Sequence, residues 1–181
     1  GANATIGHGL GVAPTFVIIK RYKSASHNWI VGVNSGPVDF TDRGLLQVNQ
    51  AFADNATEFN DTNPTSSVIS LGSSSDTNSS SQPHICYAFA PSQFNAIGSY
   101  KGNGNADGTF VYCGFKPAYV IAKNLDAAKS WFIYDNKRDP FNDATPAYMD
   151  VDLSNAENTG SDAPIDFLSN GFKVRTSSSI R

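Results

Sequence analysis

Asp135, Arg138 and Asp139, in the run Asp-Asn-Lys-Arg-Asp, form the strongest charged cluster in the chain. On a loop that follows an apolar strand, such a cluster can contact a ligand. Equally, an arginine there can hold a carboxylate across a turn through charge-assisted hydrogen bonds. Asn103, Asn105 and Asp107 occupy alternate positions in a glycine-rich loop. Calcium loops present oxygen ligands at every second residue, but they close with a bidentate Glu, and none follows here. A plain glycine turn accounts for the same residues. Asp150 and Asp152 recur at a spacing of two, with no partner geometry to divide acid and base roles between them. His8, His27 and His84 stand in unrelated contexts, without a His-x-x-x-His pair or Cys/His ligand spacing. The sequence contains no Gly-x-Ser-x-Gly elbow and no phosphate-binding P-loop. Ligand-binding candidates are therefore Asp135, Arg138, Asp139, Asn103, Asn105 and Asp107; no catalytic residue, metal or cofactor is assigned. The Asn-x-Ser/Thr triplets at Asn3, Asn55, Asn60 and Asn78 arise by chance in a chain this rich in these residues.

The elements that must position these groups read as strands. Residues 15–20 (TFVIIK), 29–33 (WIVGV), 84–90 (HICYAFA), 118–123 and 130–135 are apolar, aromatic or β-branched and are broken by Gly, Pro, Asn or, after Lys20, the polar turn 21–28. In 84–90, Ile85, Tyr87 and Phe89 fall on one side, and Cys86, Ala88 and Ala90 on the other. Weaker strands are expected at 45–49, 66–73, 94–101, 109–115, 148–153 and 172–175, with Ile6 and Leu10 anchoring a first one. Residues 52–64 read as a long loop with a short strand near Phe59. The tract 73–82 (SSSDTNSSSQ) has little apolar surface to offset the entropy of ordering, and is expected to be the most mobile segment. Cys86 and Cys113 each sit in a strand-like run, as an inter-strand disulfide or as a pair of buried free thiols. No stretch holds a 3.6-residue apolar period over two turns. The class is all-β: an antiparallel β-sandwich, jelly-roll-like, without parallel βαβ units.

The strands repeat. Gly11, Pro14, Val17, Ile18 and Lys20 recur as Gly114, Pro117, Val120, Ile121 and Lys123 at a shift of 103, and Trp29 recurs as Trp131 at a shift of 102. Ile69 and Leu71 likewise answer Phe172 and Val174. Residues 1–103 form the first copy and 104–181 the second, within one continuous sandwich. The counterpart of 84–90 falls at 187–193, beyond Arg181. The second copy is thus expected to lack a strand, to be supplied by chain continuation or by a neighbouring chain. The chain opens at Gly1 without an initiator Met, as expected of a fragment, a processed product or the ordered part of a longer chain.

Composition narrows the partners. Only 16% of the 181 residues are charged, against roughly 25% in average soluble domains. Solubility must rest on Asn, Ser, Thr and Gly. A net charge of -3 with scattered Lys and Arg opposes nucleic acid as a partner, because counterion release needs a basic face. No apolar run approaches the roughly 20 residues of a membrane-spanning helix, so membrane insertion is not expected.

The runs HGLGVAPTFVIIK, CYAFAPSQF, GSYKGNGNADGTFVYCGFKPAYVIAK, SWFIYDNKRD and NGFKVR together resemble a domain of unknown function found in bacteriophage tail, fibre and other virion-associated proteins. The resemblance covers essentially the whole chain; its specific part is Gly-Ser-Tyr-x-Gly-Asn-Gly followed by Gly-Phe-x-Pro. It implies a structural or adhesion module of a tail fibre, spike or head-attached fibre, acting in host recognition or particle assembly. By the same analogy the location is the virion, the partners are other virion proteins and host-surface glycan, and the oligomer is a homotrimer. It implies no enzyme activity and supplies no site residues. The chain departs from these relatives at its end, where they continue into a further Tyr- and Phe-containing strand. Three alternatives remain: a secreted carbohydrate-binding module, a glycan-cleaving enzyme and a purely structural decoration protein. Exposed aromatic rings and amides suit sugar binding in either adhesive reading.

Overall fold

The protein is known from a computed structural model, which describes residues 3–23, 25–142, 147–160 and 164–178. It falls into two compact units: Gly1–Gln47 with Phe52–Ser99, and Val48–Ala51 with Tyr100–Arg181. Every paired strand is antiparallel, and the architecture is an all-β sandwich type built from two similar copies.

Unit 1 contains β1 (Ala4–Gly7), β2 (Phe16–Arg21), β3 (Trp29–Val33), β4 (Asp42–Leu45), β5 (Ala53–Asp54), α1 (Ala56–Phe59), β6 (Val68–Leu71) and β7 (His84–Phe89). Its main sheet runs β5-β4-β3-β2-β7, and β1 pairs with β6 in a second sheet. Alternation along β2 sends Val17 and Ile19 to the buried side, with Ile30 of β3 and with Ile69 and Leu71 of β6 also buried. Gly32 lets two rings approach the sheet: a Cβ there would lie 2.5 Å from Phe40 and 2.8 Å from Phe59. Those rings meet edge to face, with centroids 4.8 Å apart.

Unit 2 contains β8 (Phe110–Tyr112), β9 (Tyr119–Lys123), β10 (Trp131–Asp135), β11 (Met149–Asp150), β12 (Ile165–Leu168) and β13 (Gly171–Val174). Its sheets run β11-β10-β9 and β12-β13-β8. One apolar cluster joins them: Val120, Phe132 and Tyr134 from the first sheet, and Ile165, Phe167, Phe172 and Val174 from the second.

The repeat extends to the hydrogen bonds. Lys20 pairs with Trp29 as Lys123 pairs with Trp131, and Ile30 pairs with Leu45 as Phe132 pairs with Asp150. Asn34 N–H donates to the Thr15 carbonyl (2.9 Å), and Asn136 N–H to that of Ala118 (3.0 Å). Leu46 N–H donates to the Trp29 carbonyl (3.0 Å), and Val151 N–H to that of Trp131 (2.9 Å). The tryptophan N–H, on the same edge as its carbonyl, repeats as well. Trp29 N–H donates to Gln47 Oε1 (3.0 Å), and Trp131 N–H to Asp152 Oδ1 (2.9 Å). Pro14 and Pro117 are both buried before their strands. Gly11 (φ +74°) and Gly114 (φ +83°) turn the chain through the left-handed region, which a side chain disfavours.

Several local expectations need correction. The strand expected at 45–49 is β4, ending at Leu45, because Gln47 turns its amide to the Trp29 backbone and to Asn28. Residues 94–101 form no strand. Only the bridge between Ser92 and Asn95 occurs there, and their side chains bond locally to Phe94 N–H and the Ala90 carbonyl. The strand at 148–153 shrinks to Met149–Asp150, since Asp152 caps Trp131 instead of continuing a ladder. The expected loop at 52–64 holds the helical turn α1, capped by Asn55, whose Oδ1 accepts from Thr57 N–H (3.0 Å). The first strand spans Ala4–Gly7, leaving Leu10 outside and exposed. Tract 73–82 is tied down: Thr77 is buried, Asn78 Nδ2 donates to the Gly72 carbonyl (2.7 Å), and Asp76 is an acceptor for three groups. Both cysteines are free thiols, and Cys86 is exposed on β7, not buried.

Candidate functional site

Loop 101–108 is built from its own side chains. Asn103 Oδ1 accepts from Asn105 N–H (3.0 Å), and Asn105 Oδ1 from Asp107 N–H (2.9 Å). Asn103 Nδ2 closes the turn on the Asp107 carbonyl (3.0 Å). The alternate oxygens therefore serve backbone amides as successive Asx turns, not a cation. Among the described residues, no group of three His, Cys, Asp or Glu side chains is placed to hold a metal ion. Asp107 reaches Lys173 of β13, and Arg175 lies 3.5 Å from it; the Lys173 contact and charge hold its carboxyl below the usual range.

Below this loop lies a cleft of about 320 Å³ within unit 2, lined by Tyr100, Lys101, Asn103, Asp126, Val174 and Ser177 among others. Tyr100 anchors one wall: its ring meets Phe172 of the core edge to face at 6.0 Å. Thr109 Oγ1 donates to the Lys101 carbonyl (2.7 Å) and pins the loop to the start of β8. Asp126 comes from the β9–β10 turn, where its N–H donates to Asn124 Oδ1 (3.0 Å). The lining thus combines a ring, hydroxyls, one carboxylate, one ammonium and the Asn103 amide, whose two ends already close the loop.

The second predicted group lies elsewhere on unit 2. Asp135 Oδ1 accepts from the backbone N–H of Lys137 (3.0 Å) and Arg138 (2.8 Å). Arg138 Nε donates to Asp135 Oδ2 (3.1 Å), and its Nη1 reaches Glu157. These bonds, led by the Arg138 backbone, hold the Asp135 carboxyl below the usual range. Asp139 is buried, and its N–H donates to the Asp135 carbonyl (3.2 Å). Asp135, Arg138 and Asp139 thus form a turn closed by its own bonds and tied to Glu157 through Arg138. Of the six candidates, the structure brings only Asn103 to the cleft.

A third cluster has no sequence signature. Arg21 Nη1 donates to His27 Nε2 (2.6 Å), which leaves Nδ1 to donate to Asp76 Oδ1 (2.7 Å). Asn28 adds its N–H (3.2 Å) and Nδ2 (2.8 Å) to the same carboxylate. Burial pushes Asp76 up, but the bonds from Asn28 and His27 outweigh it and hold its carboxyl low. The Asp-His pair looks like a catalytic dyad, yet both ring nitrogens are occupied, so the imidazole has no free nitrogen for substrate. This network orders loop 73–82 against the β2–β3 turn.

Residues 1–181 match the family described as a domain of unknown function, DUF7483, and the chain belongs to that family. No curated protein and no solved structure matches it.

Proposed function

We propose that this DUF7483 domain is a non-catalytic adhesion module of a phage virion, carried on a tail fibre, spike or head-attached fibre. The phage assignment rests on the sequence motifs given above. The binding assignment rests on one observation, the cleft under loop 101–108. A ring, an amide and hydroxyls around about 320 Å³ suit one or two rings of a host-surface glycan. The low charge of the chain suits a particle that meets varying salt, because screened ion pairs contribute little to its surface. A homotrimer fits this role by analogy with fibres.

A secreted carbohydrate-binding module would use the same cleft and differ in being monomeric with one defined sugar. A glycan-cleaving enzyme would need two carboxyl groups roughly 5–10 Å apart. Asp126 is the single carboxylate among the described residues lining the cleft. A decoration protein would use broad symmetric contacts and leave the cleft empty.

The test is alanine substitution at Asp126, Lys101 and Asn103, and at the exposed loop aromatics Tyr22, Phe94 and Phe141, scored on a glycan array and in host-cell adsorption. Asp126→Ala or Lys101→Ala is expected to weaken binding at least about tenfold, the size of one lost charge-assisted hydrogen bond. Asn103→Ala also disturbs the loop, so it is read only beside the other two. If no variant alters binding while the β-sheet circular dichroism is unchanged, the adhesive reading fails.

A further inference from the structure

The two copies differ at one sheet edge. In unit 1, β2 is flanked on both sides. Val17 and Ile19 belong to the rungs bonded to β3, and Phe16, Ile18 and Lys20 face β7. The alternation is fixed by two bonds. Asn34 N–H to the Thr15 carbonyl sets the odd residues toward β3, and Tyr22 N–H to the Pro83 carbonyl (2.8 Å) sets the even ones toward β7. Across that second edge, Phe89 stands opposite Phe16, Tyr87 opposite Ile18 and Ile85 opposite Lys20.

In unit 2 the same reasoning applies to β9. Asn136 N–H to the Ala118 carbonyl directs Val120 and Ala122 toward β10. The N–H and C=O groups of Tyr119, Ile121 and Lys123 therefore face away from β10. Among the described residues no strand pairs with that side. The uncovered ring shows the consequence. Phe16 is half-buried with the Phe89 ring centroid at 5.9 Å, whereas its counterpart Tyr119 is 54% exposed.

Sheet edges are commonly guarded by proline, a bulge or an outward lysine. β9 has none of these over its five residues, which pair one to one with β10. Its lysine is not a guard: Lys123 Nζ folds back onto the carbonyls of Asn124 (2.7 Å) and Ala127 (3.2 Å).

We propose that the free edge of β9 is a docking site for an antiparallel strand presented by a partner protein, with the alternation of β7. Its large apolar residues stand opposite Tyr119, Ile121 and Lys123, and its small ones opposite Val120 and Ala122. Unit 1 supplies the template for this occupant, because it shows the same edge covered in a defined register. Main-chain bonds to three rungs provide affinity, and the side chains beside Tyr119 and Ile121 provide selectivity. The inference does not depend on the glycan cleft or on the phage reading.

A synthetic peptide of residues 82–91 is added to the full chain, and amide hydrogen exchange is followed residue by residue. The expected result is exchange slowed at least about tenfold at Tyr119, Ile121 and Lys123, with no change for a scrambled peptide. N-methylation at the Tyr87 position, whose N–H faces the neighbouring strand, abolishes the protection; N-methylation at the Ala88 position, whose N–H faces away, preserves it. No protection, equal loss with both methylated peptides, or protection only along the outer edge of β7 overturns the proposal. So does protection of these β9 amides in the free chain: if it rises with chain concentration a second copy is the occupant, and if it does not, a segment of the same chain is.

Discussion

In unit 1 the β2–β3 pair lies inside a five-stranded sheet, with β4 and β5 on one side and β7 on the other. In unit 2 the matching β9–β10 pair has β11 beyond β10 and no described strand beyond β9. The shared part is therefore a strand pair with fixed ends, and what varies is how each unit completes it. Core filling differs in the same way. Gly32 leaves room for Phe40 and Phe59, whereas Tyr134, two positions before the same chain exit from the repeated strand, fills its own space and lies tilted against Tyr148, with ring centroids 5.9 Å apart. The tryptophan caps teach a further point. Gln47 and Asp152 occupy equivalent places, so the backbone N–H requires an oxygen acceptor there and not a charge.

The largest effect should follow from exchanging these core solutions. Tyr134→Ala removes a side chain that is 1% exposed, and should destabilise unit 2 by roughly 3–5 kcal/mol, the range for truncating a buried aromatic. Gly32→Ala pushes a methyl into two rings, and should cost unit 1 about 1–3 kcal/mol by overpacking. Chemical denaturation reads both. Near-wild-type stability for Gly32→Ala would show that Phe40 and Phe59 do not fill the space as described.

Next in size is the network that ties loop 73–82 to the β2–β3 turn of unit 1. Asp76→Ala leaves Asn28 and His27 without their acceptor, and should cost roughly 1–3 kcal/mol and free loop 73–82 to proteolysis. The Asp76 pKa is held below its ordinary 3.8, so its stabilisation is present above that pH and is lost as pH falls through the lower folded value. Acidification below about pH 4 should therefore cost the wild type more than Asp76→Ala; equal losses would remove Asp76 from the account.

The smallest effect belongs to Lys123. Burial pushes its pKa down to about 8 from 10.5, with Asp152 opposing the shift. Between these values the unfolded chain holds the extra proton, so stability rises with pH across that window. Thermal melts should show this rise in the wild type and a flatter profile in Lys123→Met. A rise of the same size in the variant would mean that another group is responsible.

The repeat was legible because Gly, Pro, Lys and Trp recur at fixed spacing, and each does something local: a left-handed turn, a buried strand start, a bond across the turn, and a ring opening the next strand, buried at Trp131 and half-buried at Trp29. Turn α1 was not legible, since four residues carry no periodicity; its one signal was Asn55 at a cap position. The order in 73–82 was hidden for a different reason. It depends on Asp76 meeting His27 and Asn28 across almost fifty positions, and composition contains no trace of such a pairing. In the cleft, Asn103 could be found from its glycine loop. Asp126 could not, because the β9–β10 turn reaches the cleft only through the fold.

Amide exchange in the free chain compares the two units most directly. Phe16, Ile18 and Lys20 and their counterparts Tyr119, Ile121 and Lys123 occupy the same rungs, and differ in whether a neighbouring strand accepts their N–H groups. The first three should be protected by orders of magnitude, and the second three should exchange close to the rate of an open edge, with Val120 and Ala122 protected between them. Equal protection of both sets would contradict the account.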